Sequence, residues 1–177
     1  MKNTLRLFAF AALAGVTLLC GEAASSVCTA APALSAHEDE HERRLPAATR
    51  RELARARRAT AKYHDISAAI ADGYADINVF IPNMGFHYLK SSILDAEFDP
   101  ARPELLVYAQ DLCEGRMRLV AVEYVVPTSL TAVAPEGFTG DSDHWHRQDQ
   151  FGLWTLHAWI WFRNPDGVFA ELNPRVP

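Results

Sequence analysis

The sequence predicts an α+β fold, in which one N-terminal helix is followed by a mainly antiparallel β-sheet that encloses a small pocket. Three observations predict it. A chain of 177 residues with 49% hydrophobic and 22% charged residues has the composition of one globular domain with a real core. Apolar positions recur at helical spacing between Ala47 and Asp72. After Gly73 the chain consists of short β-rich runs separated by Pro, Gly, Asn and Asp.

The helix is expected over residues 47–72. Thr49 is the candidate N-cap, and Gly73 marks the end of the helix, since glycine readily adopts the left-handed conformation that closes many helices. The inward positions follow one another at steps of three and four residues: Leu53, Ala56, Thr60, Tyr63, Ser67 and Ile70.

Five segments have the β-rich composition of strands and are bounded by turn residues. In chain order they are YADINVFIP, MGFHYLK, ELLVYAQ, RLVAVEYVVP and LWTLHAWIWF. The prolines of DPARPE, RNPDG and LNPRVP predict turns or extended connections. The sequence has no internal repeat, so residues 47–177 are expected to form a single α+β domain.

The first 23 residues have the layout of a secretory signal peptide. Lys2 and Arg6 precede an apolar run over residues 7–19, and small residues follow, with cleavage expected after Ala23. The run is too short to span a bilayer. Cys20 follows a leucine that is bulkier than a lipoprotein signal usually carries there. The sequence therefore favours plain export, to the periplasm or the medium, with no transmembrane span in the mature protein.

Residues 24–46 are predicted to be a mobile leader, because they are rich in Ala, Ser, Pro and alternating charge and lack apolar periodicity. Cys28 lies in this leader and Cys113 in the predicted fold. An oxidising compartment would permit a disulfide between them, although their spacing does not specify one. The formal net charge of −5 argues against a nucleic-acid partner.

Three strand-like runs each carry one ionisable residue in an otherwise apolar centre: His87, Glu123 and His157. Because side chains alternate between the two faces of a strand, Glu123 shares its face with Ala121, and His157 shares its face with Thr155. Both residues are therefore expected to point into sheltered, largely apolar space.

A buried carboxylate needs a cation, hydrogen-bond donors or a raised pKa, because burying an unpaired charge costs several kcal/mol. If Glu123 meets His87 and His157, the set matches a catalytic-type zinc site with an open position or the facial triad of a non-haem iron site, and copper also suits the imidazoles. The expected partner is thus a divalent transition metal or a small ligand. The alternative is a structural His/Glu hydrogen-bond cluster, or three residues that do not meet.

A second candidate set lies in the loop GFTGDSDHWHRQDQFG, where His144 and His146 stand near two aspartates and Trp145. A His-x-His pair in an extended segment directs both rings to one side. These histidines would add a further metal ligand or form a lid over the pocket. The alternative is an ordinary solvated loop.

The stretch HEDEH, from His37 to His41, matches the metalloprotease pattern H-E-x-x-H. That chemistry requires both histidines on one face of a buried helix. The flanking residues supply no apolar face, so protease activity is not expected, and metal binding by an acidic tail is the more natural reading. The G-x-S-x-G elbow, Walker loop, dinucleotide fingerprint and C-x-x-C motif are all absent, which disfavours nucleotide-dependent catalysis and the common redox motif.

Several other residues receive structural interpretations. Met84 precedes His87 by three residues, which in a regular strand places the two on opposite faces, so no Met/His copper pair is expected. His64 follows the inward Tyr63 and is expected to be partly exposed on the helix. At strand spacing the tryptophans are expected in the core rather than around an aromatic or carbohydrate ligand: Trp145, Trp154, Trp159 and Trp161.

From about Ala59 to Val176 the chain resembles a family of small exported bacterial proteins of uncharacterised function. The segments that carry the resemblance are Met-Gly-Phe-His-Tyr at residues 84–88, Val-Glu-Tyr at 122–124, Leu-His-Ala-Trp-Ile-Trp at 156–161, and two Asn-Pro pairs at 164–165 and 173–174. The resemblance marks the same His87, Glu123 and His157, and it implies no activity.

The sequence therefore supports three hypotheses. The first is an exported domain that binds a transition metal or a small ligand through His87, Glu123 and His157. The second is a metal-dependent enzyme, hydrolytic or oxygen-using, in which Glu123 or a bound water performs acid and base chemistry. The third is a structural or interaction domain in which the cluster is a buried hydrogen-bond lock.

Overall fold

The computed structural model describes residues 40–111 and 115–177. Three helices come first: α1 (Glu40–Arg44), α2 (Ala47–Thr60) and α3 (Ile66–Ala71). Six strands follow: β1 (Ala75–Ile81), β2 (Gly85–Leu89), β3 (Leu105–Gln110), β4 (Met117–Pro127), β5 (His146–Gln148) and β6 (Leu153–Ala158). The predicted signal peptide, most of the predicted leader, and both Cys28 and Cys113 lie outside the described residues.

The six strands form one sheet in the order β1-β2-β3-β4-β6-β5. Every neighbouring pair is antiparallel. The prediction of a mainly antiparallel sheet is therefore confirmed. The strand predicted from LWTLHAWIWF ends at Ala158, because Trp159 donates its backbone N–H to Val168 in the C-terminal segment instead of continuing the ladder.

The helical segment is not the single helix that the periodicity predicts. A 3₁₀ turn over Ala61–His64 separates α2 from α3, and Asp65 adopts an extended conformation with ψ of 107°. Its carboxylate accepts the backbone N–H of Ser67 at 2.9 Å and so begins a new helix. As a result Ile70 is 57% exposed rather than inward. Gly73, at φ of 96°, ends the helical segment as expected.

The residues just before α2 contact the fold. Glu42, in α1, pairs with Arg57 of α2 at 2.7 Å, and Leu45 packs against the core. Thr49 is not the N-cap; Pro46 occupies that position, and the Thr49 hydroxyl donates to the carbonyl of Thr139. The end of the predicted leader, from residue 40 onward, is therefore part of the packed structure.

The two faces of the sheet have different coverings. The first face packs against α2 and α3 and carries most of the core, including Leu106, Tyr108 and Tyr124 beside Leu53 and Ala56 of α2. The second face is covered by the C-terminal segment through a smaller apolar cluster: Met84, Val107, Ala109, Val120, Ala121, Trp159 and Val176. This second face is also the one that carries the predicted site.

A β-bulge in β4 determines which face Glu123 occupies. Val107 pairs with Ala121, but the next residue of β3 pairs with Leu119, so Val120 is an extra residue in β4. Leu119 packs on the helix-covered face, whereas Val120 and Ala121 both belong to the second face. Without this extra residue, strict alternation from Leu119 would place Glu123 among the helix-facing side chains.

Two buried asparagines hold the C-terminal segment in place. Asn164 donates from its side chain to the carbonyl of Leu172 at 2.8 Å. Asn173 donates from its side chain to the carbonyl of Arg163 at 3.1 Å and from its backbone to Asn83 at 2.8 Å. These bonds fix residues 171 and 172 over the second face and tie the chain end to the turn between β1 and β2.

Glu104, just before β3, is a second buried carboxylate. It is 4% exposed, and its Oε2 accepts the backbone N–H of Val125 at 3.1 Å. Burial raises the pKa of Glu104 to about 8; the Val125 hydrogen bond and the more distant Arg102 lower it, and Asp95 raises it further. The native state therefore retains a proton on Glu104 where an unfolded chain would lose it.

This shift predicts a pH-dependent effect of Glu104→Gln, which keeps an acceptor for Val125. Between pH 4.5, the ordinary pKa of a glutamate, and about pH 8, the wild-type native state binds one more proton than the unfolded chain. The contribution of Glu104 to the free energy of unfolding is thus fully present below pH 4.5. It decreases as pH rises to 8, by at most about 1.4 kcal/mol per pH unit. Urea unfolding at pH 5 to 8 should show the variant gaining stability relative to wild type. A difference that stays constant over that range, or equals that of the exposed Glu136→Gln, would contradict the assignment.

Candidate metal centre

Four neighbouring strands of the sheet, β2, β3, β4 and β6, bring His87, Glu123 and His157 together. Glu123 pairs directly with His157 across β4 and β6. On the other side of β4, Glu123 pairs with Leu105 of β3, and His87 of β2 pairs with Val107, two residues further along β3. Glu123 Oε1 lies 3.3 Å from His157 Nε2, and Glu123 Oε2 lies 3.6 Å from His87 Nε2. One ligating atom from each residue falls within a 4.8 Å span, which is close enough for a single metal ion.

The cluster is buried and incompletely hydrogen-bonded. The three residues are 2 to 4% exposed. Among the described residues, Glu123 Oε2 and both ring nitrogens of His157 have no hydrogen-bond partner. Buried polar atoms without partners are rare in native proteins, because each costs about 1–3 kcal/mol. A metal ion would accept a lone pair from Glu123 Oε2 and from one His157 nitrogen, and so would remove much of this cost.

An irregularity in β1 orients His87. Asp76 and Phe80 of β1 pair with Tyr88 and Phe86, so three residues of β1 stand opposite His87 alone. Within them Asn78 has a positive φ of 56°. The Val79 carbonyl is thereby turned inward and lies 3.2 Å from His87 Nδ1. Since a carbonyl only accepts, Nδ1 carries the proton and Nε2 directs its lone pair toward Glu123, as in metal-binding histidines held by an outer carbonyl.

Burial controls the protonation of the cluster. Burial, together with the nearby Glu171, raises the pKa of Glu123 to about 8, against a smaller lowering by the Thr155 hydroxyl. It lowers the pKa of His157 to about 3, with smaller contributions from His87 and His146, and it also lowers the pKa of His87. The protein by itself therefore favours a neutral cluster at pH 7. A divalent cation reverses this preference for Glu123, because it compensates the buried negative charge.

The cluster forms the floor of a cavity of about 330 Å³. The walls are mainly apolar, and Phe151 and Leu172 are 53% and 43% exposed at the mouth. The lining includes two carboxylates, Glu123 and Glu171, and no lysine or arginine from the described part of the chain. The charge of the lining therefore favours a cation over an anion.

Met84 also lies at this floor, so the prediction that it occupies the face opposite His87 is wrong. Its sulfur is 3.1 Å from His87 Nε2, and the side chain is 4% exposed. Met84 precedes β2, and Gly85 has a φ of 120°, which breaks the alternation on which the prediction rested. A Cβ at Gly85 would overlap the carbonyl oxygen of Tyr108. Only glycine fits this bend.

The second predicted set does not join the cluster directly. His144 is exposed and lines a separate depression beside Leu45 and Asp166. His146 begins β5, and its Nδ1 lies 3.8 Å from a carboxylate oxygen of Glu171 at the cavity. The rings of His144 and His146 thus do not share one side of an extended segment, because only His146 belongs to β5.

The remaining sequence interpretations concern structural residues. His64 is exposed and packs edge-on against Trp161, with ring centroids 4.3 Å apart. The cavity is lined by none of the four tryptophans, all of which lie in the described ranges. Trp159 instead donates to the Ala170 carbonyl at 2.6 Å. The HEDEH stretch begins outside the described residues, and the protease pattern stays untested.

Sequence reasoning missed two residues of the cavity. Met84 was assigned to the wrong face because Gly85 disrupts the strand period. Glu171 lies in a segment without regular secondary structure, where no periodicity predicts side-chain direction, and the bonds of Asn164 and Asn173 bring it to the cavity. The nearest sequence signal was the pair of Asn-Pro segments that flank it.

Comparison with known proteins identifies no matching family model, no matching curated protein and no matching solved structure. Within residues 40–111 and 115–177, no helix has both the length and the apolar character needed to cross a membrane. The chemistry of the cavity must therefore be inferred from its own residues.

The bend at Gly85 predicts that Gly85→Ala will be much more destabilising than Gly167→Ala. Both glycines have positive φ, 120° and 114°, but an added Cβ at Gly167 meets no atom within 4 Å. Backbone strain of about 1–2 kcal/mol applies to both, whereas overlap with Tyr108 adds roughly 1–3 kcal/mol at Gly85 alone. Urea unfolding of both variants measures the difference. Equal losses would show that Gly85 is not sterically required.

Proposed function

We propose that the protein binds a transition metal ion through His87, Glu123 and His157 at the floor of the cavity. The observation that carries this proposal is the set of buried ligating atoms within 4.8 Å, several of which have no hydrogen-bond partner among the described residues. Two imidazoles and one carboxylate are a common ligand set for zinc and iron and suit copper as well. The Val79 carbonyl supplies the outer contact that such histidines usually have.

The principal competing explanation is a structural hydrogen-bond lock between the strands. A lock stabilises only if its polar groups bond to one another. Glu123 and His157 approach to 3.3 Å, yet His157 makes no hydrogen bond within the described chain. The cluster therefore suits lone-pair donation to an ion better than mutual hydrogen bonding.

Export is part of the proposal. It is supported by the basic residues Lys2 and Arg6, the apolar run over residues 7–19 and the small residues before the expected cleavage after Ala23. An exported protein would acquire its metal outside the cytoplasm. Fractionation of cells that express the full chain tests this directly, with the uncleaved protein in the cytoplasm as the contrary result.

Metal retention by the full chain tests the central proposal. His37 and His41 are replaced by Ala in every sample, so that the predicted leader does not contribute ligands. After loading with zinc or copper and dialysis, elemental analysis should find about one ion per chain, and His157→Ala and Glu123→Gln should lose most of it. Glu104→Gln removes the other buried carboxylate and is the matched control, which should retain the ion.

Thermal unfolding of the same proteins separates a metal site from a lock. Metal at 100 times its Kd should stabilise the wild type and Glu104→Gln by about 2.7 kcal/mol, and Glu123→Gln by much less. Without metal, Glu123→Gln should be at least as stable as the wild type, because keeping Glu123 protonated at pH 7 costs free energy that a neutral amide does not. Loss of stability in metal-free Glu123→Gln, with no metal bound by the wild type, would establish the lock instead.

The cavity supports a second candidate, a metal-dependent enzyme that acts on a small, largely apolar molecule. A closed structural site has no need of adjacent space, whereas about 330 Å³ lies above this cluster. The apolar walls would hold the body of such a molecule, with its polar end directed toward the cluster. Glu171, the other carboxylate of the lining, is the candidate acid or base at the mouth, and the ion would supply Lewis acidity.

Binding of an azole probe tests whether a small apolar molecule can reach the ion through the cavity. Calorimetry of the metal-loaded protein should give 4-phenylimidazole roughly ten- to a hundredfold higher affinity than imidazole, because the phenyl ring is buried against the apolar walls. Leu153→Asn, in the wall, should reduce this preference, whereas Leu130→Asn, 54% exposed and outside the lining, should preserve it. Equal affinity for the two probes would exclude an apolar subsite next to the ion.

A further inference from the structure

The backbone around Gly85 gives the site a fourth donor atom. A residue three positions before His87 would point away from it in a regular strand. The positive φ of Gly85 and the turn over residues 81–84, in which Met84 donates its N–H to Ile81 at 3.0 Å, bring Met84 to the same side as His87. Its side chain lines the same cavity as Glu123 and His157.

The contact between Met84 and His87 joins two lone-pair donors. The proton of His87 is on Nδ1, because an N–H to the Val79 carbonyl oxygen is a stronger hydrogen bond than an N–H to a thioether. Nε2 then has no hydrogen, and neither has the Met84 sulfur. Two such atoms at 3.1 Å do not attract each other directly. A cation that accepts both lone pairs accounts for their approach.

Three successive separations in the cluster are those of neighbouring donor atoms in one coordination shell. Metal–ligand bonds of about 2.0–2.3 Å at angles of roughly 90–120° place neighbouring donor atoms about 3–3.7 Å apart. The sulfur of Met84 and Nε2 of His87 are 3.1 Å apart, and His87 and Glu123 are 3.6 Å apart. Glu123 and His157 follow at 3.3 Å. Each of the four side chains is thus close enough to the next for the two to share one ion.

We propose that Met84 is a ligand of this centre and that the ion it selects is copper. The inference rests on the proposed function, since it concerns the same ion. Thioether sulfur is a soft donor that favours Cu(I), whereas zinc sites are built from cysteine, histidine and carboxylates. With no cysteine among the four donors, the site is not of the blue-copper type. Imidazole and carboxylate also suit Cu(II), so the set accommodates both oxidation states.

Competition titrations on the full chain, again with His37 and His41 replaced by Ala, test the proposal. Cu(I) affinity is measured anaerobically against bicinchoninate, and Zn(II) affinity against a chromophoric chelator. Met84→Leu should weaken Cu(I) binding by about tenfold or more and leave Zn(II) binding within about threefold. Met117→Leu is the matched control, because Met117 packs against the helix-covered core, and it should change neither affinity.

The possible results distinguish the copper proposal from the proposal of a three-residue metal site. Cu(I) affinity that is unchanged in Met84→Leu, or a wild type that binds zinc but not copper, would overturn the copper proposal and leave the three-residue metal site intact. A wild type that binds neither ion would overturn both. Equal weakening of Cu(I) and Zn(II) by Met84→Leu would show that Met84 acts through packing rather than as a soft ligand.

Selenomethionine labelling provides a readout that does not depend on a substitution. Copper-edge X-ray absorption of the labelled, Cu(I)-loaded protein should detect selenium in the first coordination shell, contributed by Met84. The other described methionine, Met117, lies in the helix-covered core and cannot reach the cluster. A first shell of nitrogen and oxygen alone would exclude Met84 as a ligand.

Discussion

The burial of one carboxylate, that of Glu123, is the constraint on which the rest of this structure depends. A carboxylate placed at the centre of a sheet costs several kcal/mol unless something compensates for it. Across β4 and β6 its direct neighbour is His157, whose Nε2 lies 3.3 Å from Glu123 Oε1. The cavity above them is lined by no cationic side chain from the described residues. Glu123 therefore stays protonated near pH 7 unless a cation compensates its charge.

The backbone departs from regular strand geometry at the positions that orient the side chains of the cluster. The extra residue Val120 moves Glu123 to the second face, Asn78 turns the Val79 carbonyl toward His87, and Gly85 brings Met84 beside it. Bulges and positive φ values weaken a sheet locally, and they concentrate at sites where a side chain must be redirected. That three of them surround one cluster indicates that the sheet is shaped around the site rather than only for stability.

The convergence of His87, Glu123 and His157 could be expected because each is an ionisable residue in the otherwise apolar centre of its strand, where a buried polar group needs a partner. The antiparallel sheet could be predicted from the spacing of its turns. The position of Met84 could not, because alternation fails at Gly85, and Glu171 arrives in an irregular segment. The break at Asp65 was also missed, because a short polar residue begins a new helix without interrupting the apolar spacing around it.

The irregular stretch of β1 has a consequence for the behaviour of the protein in solution. β1 is an outer strand of the sheet, and Ile77 and Phe80 are 39% and 50% exposed along it. A flat outer strand with such side chains would offer a template on which a second molecule could add its own strand and begin to aggregate. Here the Val79 carbonyl faces inward and Asn78 twists the chain, so the outer row of hydrogen-bonding groups is interrupted. The feature that orients His87 thus also makes this edge a poorer template for strand addition.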